Sequence, residues 1–320
     1  MRNLGRNLLL AVVLGIVVYA VLAVYGDVDS LGRELSAFPW WAFAAALGLA
    51  FTNYLVRFVK WETYRRQLGI GLRRGESFGI FLAGFVMSVT PAKVGEVLKS
   101  FLLKERHGVP IATSAPIVLA ERLTDLIALI ALAGVGALSF RLGTVVLVAG
   151  SAVVASLAVA VGSRTVGGRL ARLLGRLPLI RRKAAAVEEL FRSAHVLCRA
   201  PNLPLPVLLS AGAWFCECVA MWVVFNAFPG ARADLGTITF IYSLSTVAGA
   251  LSMMPGGLGV TEGGMAGLLV VLVPGLRPGV ASATTILVRL ATLWFAVLVG
   301  LAALGILRSR PPAPPGEARG

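Results

Sequence analysis

Six stretches of the chain, residues 8–25, 38–59, 109–138, 142–161, 205–228 and 280–307, are mostly apolar over about the length of a bilayer crossing. The hydrocarbon layer is ~30 Å thick, and a helix needs ~20 predominantly apolar residues to cross it. Each run is long enough for such a helix, which hydrogen-bonds its own backbone where no water can. The sequence therefore predicts an all-α polytopic membrane protein. Composition agrees, with 58% hydrophobic residues, 14% charged residues and a mean hydropathy of +0.85. About a quarter of a soluble domain is charged, so a water-soluble enzyme is excluded.

The net charge of +15 comes from 30 Lys and Arg against 15 Asp and Glu. Such a balance serves nucleic acid, anionic lipid or cytoplasmic loops, and its placement favours loops with no nucleic-acid partner. Lys60, Arg65, Arg66, Arg73 and Arg74 follow the second run, whereas Asp27, Asp29 and Glu34 precede it. The positive-inside rule then places the N-terminus in the cytoplasm of an inner (plasma) membrane. The basic loop 163–203 is cytoplasmic too, either as a topology determinant or as a surface for anionic headgroups. Arg308 and Arg310 put the C-terminus inside, and the Pro-rich stretch 308–320 is read as a disordered tail. The first run could be a signal peptide, but the later runs favour a retained anchor. Cys198, Cys216 and Cys218 cannot form a disulfide framework and are read as core filling.

Two further segments are apolar but broken. Residues 78–89 stop at Thr90-Pro91, a good N-cap and first helical residue, after which a second short helix carries Lys93 and Glu96. Residues 237–253 run into Pro255-Gly256-Gly257, and another short helix follows from Thr261. Neither arm is long enough to cross alone, so re-entrant hairpins are expected at 77–105 and 237–274. With them the architecture is about six spanning helices plus two hairpins.

The order of features recurs. Glu96 precedes Arg122 by 26 residues, and Glu262 precedes Arg289 by 27. Residues 1–140 and 141–307 each read as helix, helix, hairpin, helix, an odd number of crossings that turns the second repeat upside down. Inverted repeats with broken helices meeting near the midplane suit secondary transport.

Charges inside a bilayer are costly and mark functional sites by default. Lys93, Glu96, Glu121, Arg122, Asp125, Glu217, Glu262 and Arg289 lie in or beside apolar segments. Cations beside helix N-termini make a phosphate site, which gives Thr90, Lys93, Arg122, Gly256, Gly257, Thr261 and Arg289 as candidate substrate-binding residues. Glu96, Glu121, Asp125, Glu217 and Glu262 are candidates for proton coupling or charge pairing. Simple neutralisation across the bundle remains open for Arg122 and Asp125, three residues apart on one helix. His107 and His195 lie in or near basic loops and no catalytic or nucleotide motif occurs, so the reading is not an enzyme, with no cofactor and no metal.

The segments Thr90-Pro91-Ala92-Lys93-Val94-Gly95-Glu96, Glu121-Arg122-Leu123-Thr124-Asp125, Pro255-Gly256-Gly257-Leu258-Gly259-Val260-Thr261-Glu262 and Leu287-Val288-Arg289 resemble the lysylphosphatidylglycerol synthase transmembrane-region family of flippase-like membrane proteins. The resemblance covers almost the whole chain and implies movement of a lipid between leaflets. These 320 residues leave no room for the soluble synthase domain. The expected activity is transport of a phosphate-bearing lipid: an anionic or aminoacylated phospholipid, or a polyprenyl phosphate. The alternative is a lipid-binding or scaffold subunit of a cell-envelope pathway. Membrane lipids are the expected partners, and the oligomeric state is left open.

Overall fold

The computed structural model describes residues 4–89, 97–137, 148, 152 and 196–309, and every regular element among them is helical. The first helix, α1 (Leu4–Tyr25), turns by 94° into α2 (Val28–Ser36), where the sequence suggested only a loop. Asp27 caps α2 by accepting a hydrogen bond from the Ser30 amide at 3.2 Å. Next come α3 (Trp41–Gln67), α4 (Arg74–Ala83) with a 3-10 turn at Gly84–Met87, α5 (Leu98–His107) and α6 (Ile111–Ala137). Pro116 lies inside α6 without interrupting it. The predicted crossing at 142–161 lies outside the described residues apart from 148 and 152, as do loop residues 163–195 and tail residues 310–320.

The second half holds α7 (Pro204–Ala227), α8 (Leu235–Leu251), a 3-10 turn at Pro255–Gly257, α9 (Val260–Leu272), α10 (Pro278–Arg289), a π turn at Leu290–Trp294 and α11 (Phe295–Ser309). Among the described residues, four helical stretches are long and apolar enough to cross a membrane, or five if the bent α1–α2 pair forms one span. Six were expected. The α6 helix carries Glu121, Arg122 and Asp125 and is too charged for that criterion, and another expected span is the one outside the described residues. One of the four, Pro255–Leu272, reaches its length only by joining the 3-10 turn to α9, whose own 13 residues match the short second arm expected there.

The α3–α7 pair forms the spine. Ala42, Ala46 and Ala50 line its α3 face at four-residue spacing, and Asn53 Nδ2 donates to the Ala213 carbonyl at 2.7 Å. Small residues let membrane helices approach closely, and such a buried polar bond fixes their register. Around the spine α6 packs on α8, α4 on α11, α5 on α6, and α9 on α10. Gly300 permits one of these contacts, because a methyl group there would sit 2.5 Å from the Val86 amide nitrogen.

Ion pairs mark the two ends of the molecule. At one end Glu76, near the start of α4, accepts from Arg106 Nε at 3.0 Å, and Arg106 Nη1 donates to the Leu307 carbonyl at 2.9 Å. The start of α4, the end of α5 and the end of α11 therefore share that end. At the other end Glu34 of α2 pairs with Arg277 at 2.8 Å, and Arg277 Nη2 also donates to the Pro229 carbonyl. The loops before α8 and after α9 meet there around a shared hollow.

Candidate functional site

The second interruption lies inside the bundle against the end of the first apolar arm. Gly256 (φ 61°) and Gly257 (φ 70°) occupy the left-handed region that a side chain disfavours, which is why the second break is glycine-rich. A methyl on Gly256 would lie 3.4 Å from Val89 Cα, so the break faces the last residue of the first apolar arm. Val89, Leu258, Leu293 and Val297 form a small core around this contact, covered by Leu14 and Val18 of α1.

Arg289 holds the second break in shape. Its Nε donates to Glu262 Oε1 at 2.6 Å and its Nη2 donates to the Gly256 carbonyl at 2.7 Å. The other Glu262 oxygen accepts from the Gly259 amide at 2.7 Å, satisfying an otherwise orphan donor at the start of α9. Immediately after Arg289 the helix widens into its π turn, a feature frequent at functional sites. There the Thr292 carbonyl accepts from the Tyr54 hydroxyl at 3.3 Å.

A cavity of about 430 Å³ opens beside this junction. Arg57, Arg122, Asp125, Glu217 and Arg289 line it, together with Gly256, Gly257 and Thr261. Asp125 gathers the cations of one wall. Its Oδ1 accepts from Lys60 Nζ at 2.6 Å and from the Ser210 hydroxyl at 3.0 Å. Its Oδ2 lies 3.3 Å from Arg57 Nη2 and 3.2 Å from Arg122 Nη2. The Arg57 guanidinium is flanked by the Phe85 ring at 5.9 Å and the Trp214 ring at 5.7 Å. These rings orient it and exclude water, which strengthens its electrostatic contacts. Also in the lining, the Tyr242 hydroxyl donates to Glu217.

Most of the residues singled out in the sequence converge here. Arg122, Gly256, Gly257, Thr261, Arg289, Asp125 and Glu217 all line the cavity, and Glu262 stands directly behind Arg289. Glu121 does not line it. It pairs with Lys99 at 2.6 Å, and the Lys99 ammonium lies over the Trp61 ring at 4.8 Å, because the turn of helix between Glu121 and Asp125 carries them to different neighbours. Thr90, Lys93 and Glu96 lie outside the described residues.

Sequence reasoning missed Arg57, Lys60 and Tyr242. Lys60 had been grouped with the basic residues that follow the second apolar run, yet it is 0% exposed and bonded to Asp125 and Ser210. The signal that could have placed it is the three-residue spacing from Arg57, which also joins Ala50, Asn53 and Tyr54 on the buried face of α3. Guanidinium forks match phosphate oxygens in pairs, so this wall can hold a phosphate whose remaining substituents face the rest of the cavity. Among the described residues no cluster of His, Cys, Asp and Glu is arranged to hold a metal ion.

Comparison with known proteins gives a consistent picture. The profile of a family described as the lysylphosphatidylglycerol synthase TM region matches residues 9–300. Two proteins of Methanothermobacter thermautotrophicus, both called UPF0104 membrane protein, are similar along nearly their whole length. One is 24% identical, covering 92% of this chain and 93% of its own, and the other is 25% identical, covering 90% of each. A UPF0104 membrane protein of Methanocaldococcus jannaschii is 26% identical over 68% of this chain and 91% of its own.

Proposed function

The chain belongs to the lysylphosphatidylglycerol synthase transmembrane-region family, and from that premise we propose that it is a flippase-like transporter moving a phosphate-bearing lipid between the leaflets of the inner membrane. The observation that carries this reading is the convergence of Arg57, Arg122 and Arg289 on one cavity beside the break at Pro255–Gly257. Intramembrane cations at broken helices are the chemistry by which transporters hold anionic groups near the midplane. The lipid, rather than a small soluble anion, is favoured by the lining residues Leu119, Leu251, Met253 and Met254, which are exposed on the protein surface and offer apolar contact to chains. Anionic phospholipids, aminoacylated phosphatidylglycerol and polyprenyl phosphates share the required phosphate. Thr90 and Lys93, outside the described residues, belong to the phosphate site in this proposal, and Glu217, bonded to Tyr242, is its candidate for proton coupling or charge pairing.

Two inverted repeats, 1–140 and 141–307, complete the proposal. It is supported by helix pairings that exchange when the halves are swapped: α4 on α11 becomes α8 on α6, α5 on α6 becomes α9 on α10, and α3 on α7 maps onto itself. The α4–α5 hairpin starts and ends where Glu76 meets Arg106, whereas the α8–α9 hairpin starts and ends beside Arg277 at the other end. Lys104, Arg106 and Arg308 gather at the first end, which supports a cytoplasmic assignment for it.

The test is translocation by the purified protein in proteoliposomes, with labelled phosphatidylglycerol, aminoacylated phosphatidylglycerol and polyprenyl phosphate, with and without a pH gradient. Movement of one lipid, slowed at least about 10-fold by Arg122→Ala, is expected, the scale of losing a hydrogen bond to a charged group. No movement of any lipid by folded protein overturns the transport reading in favour of a scaffold.

A further inference from the structure

Two carboxylate–arginine sites flank the cavity, and they are built differently. At the second, Glu262 is 0% exposed and both its oxygens are engaged, by Arg289 Nε at 2.6 Å and the Gly259 amide at 2.7 Å. That pair is locked, and its task is to hold the break. At the first, the two oxygens of Asp125 have unequal partners. Oδ1 makes short bonds to Lys60 at 2.6 Å and Ser210 at 3.0 Å, whereas Oδ2 is shared by Arg57 at 3.3 Å and Arg122 at 3.2 Å. Charge-assisted N–H···O bonds usually close to ~2.7–2.9 Å, so the two arginine contacts are long. Of these ionic side chains Arg122 is also the most accessible, at 25% exposed.

We propose that Asp125 is a built-in competitor for the transported phosphate: Oδ2 holds the Arg57 and Arg122 forks together until a phosphate oxygen takes them over, while Oδ1 stays anchored on Lys60 and Ser210. This rests on the reading of the cavity as a phosphate site and adds how that site releases its ligand. Three cations gathered around one carboxylate, Arg57 and Arg122 on the cavity wall and Lys60 behind it, repel one another, and the fixed carboxylate keeps them together before a ligand arrives. Once the phosphate bridges the arginines, the carboxylate faces a second anion, which weakens the complex and favours departure. A transporter needs that balance, because a site that binds too tightly does not let go. Asp125 is thus a positioning residue that lowers affinity to maintain turnover. The chemistry recognised is a phosphate oxygen, whether on a lipid headgroup or on a free anion.

The experiment titrates phosphatidylglycerol in mixed micelles, and inorganic phosphate in a parallel arm, against the full-length protein by calorimetry, with translocation measured in proteoliposomes. Binding of phosphatidylglycerol alone assigns the site to the lipid, and binding of both shows that the phosphate suffices. In whichever arm the wild type binds, Asp125→Asn is expected to bind about tenfold tighter, the scale of one lost charge-assisted competitor, while translocation at saturating lipid falls by a similar factor. A merely structural role predicts weaker binding. Equal or weaker binding by folded Asp125→Asn overturns the proposal. If that variant does not fold, Asp125→Asn in an Arg122→Gln background removes one charge of each sign. Affinity above that of Arg122→Gln alone supports the proposal, and equal or lower affinity overturns it. Failure of both to fold makes Asp125 purely structural and also overturns it. Absence of wild-type binding in both arms overturns instead the reading of the cavity itself.

Discussion

Lys60 is a fully buried ammonium whose partners are Asp125 and Ser210, and it is the residue whose role most depends on its neighbours. Removing one member of a buried ionic group leaves the others in low dielectric without compensation. Lys60→Met keeps the volume but deletes two short hydrogen bonds. It is expected to cost about 2–4 kcal/mol, less than the loss of an isolated buried pair because Arg57 and Arg122 still face the carboxylate. Thermal unfolding in detergent measures this, and an unchanged midpoint would show that Ser210 and the arginines suffice. At this scale the sequence was partly legible. Arg122, Asp125, Glu217 and Arg289 stood out because charge is rare inside apolar runs. Arg57 and Lys60 did not, because they sit where an apolar run passes into a basic cluster and snorkelling to the interface would explain them equally well.

Elements in this protein are defined as much by their interruptions as by their helices. Thr261 at the start of α9 presses its hydroxyl into the space left by Gly249 of α8, and a side-chain carbon at Gly249 would overlap that hydroxyl. Overpacking of this kind typically costs ~1–3 kcal/mol. Gly249→Ala should lower the unfolding temperature and slow translocation, and Thr261→Ala on top of it should recover stability. No recovery would mean that the strain lies elsewhere. The α8 helix also has a titratable start. Hydrogen bonds from the Thr237 hydroxyl and amide hold the Asp234 carboxyl below its usual value. A depressed folded value means that the cap's contribution is present above the ordinary carboxyl range of ~4 and is lost as pH falls through the lower folded value. Protection factors of the amides in the first turn of α8, taken against the intrinsic exchange rate at each pH, should therefore fall on acidification below about pH 4, and that fall should be absent in Asp234→Asn. Pro255-Gly256-Gly257 announced the second break in the sequence, since proline and glycine act through the backbone alone. The π turn after Arg289 carried no such punctuation, and packing on neighbouring helices decides it, whereas Gly26-Asp27 did mark the start of α2.

For the whole molecule the instructive feature is how the ends are sorted. Glu105, in the last turn of the first hairpin, and Arg232, in the loop before the second, are both exposed near opposite ends of the bundle. In a Cys216→Ser background, Glu105→Cys and Arg232→Cys should react with a membrane-impermeant maleimide from opposite faces of a sealed vesicle. Labelling of both from one face would reject the inverted arrangement. The periodic apolar runs made the polytopic class readable without a structure, whereas the number of crossings was not, because α6 combines a spanning length with three charges.

The contact between Gly256 and Val89 has an electrical consequence. Voltage across a membrane falls mostly through its low-dielectric material. Where a polar cavity penetrates the protein, that material narrows to whatever closes the cavity's inner end. If the small apolar core of Val89, Leu258, Leu293 and Val297 around Gly256 is that closure, the field concentrates across it. A headgroup carrying a net charge past this septum would meet most of the membrane potential in one short step, worth ~2.3 kcal/mol per elementary charge at 100 mV. Its rate should then depend on voltage as well as on the gradient of the lipid.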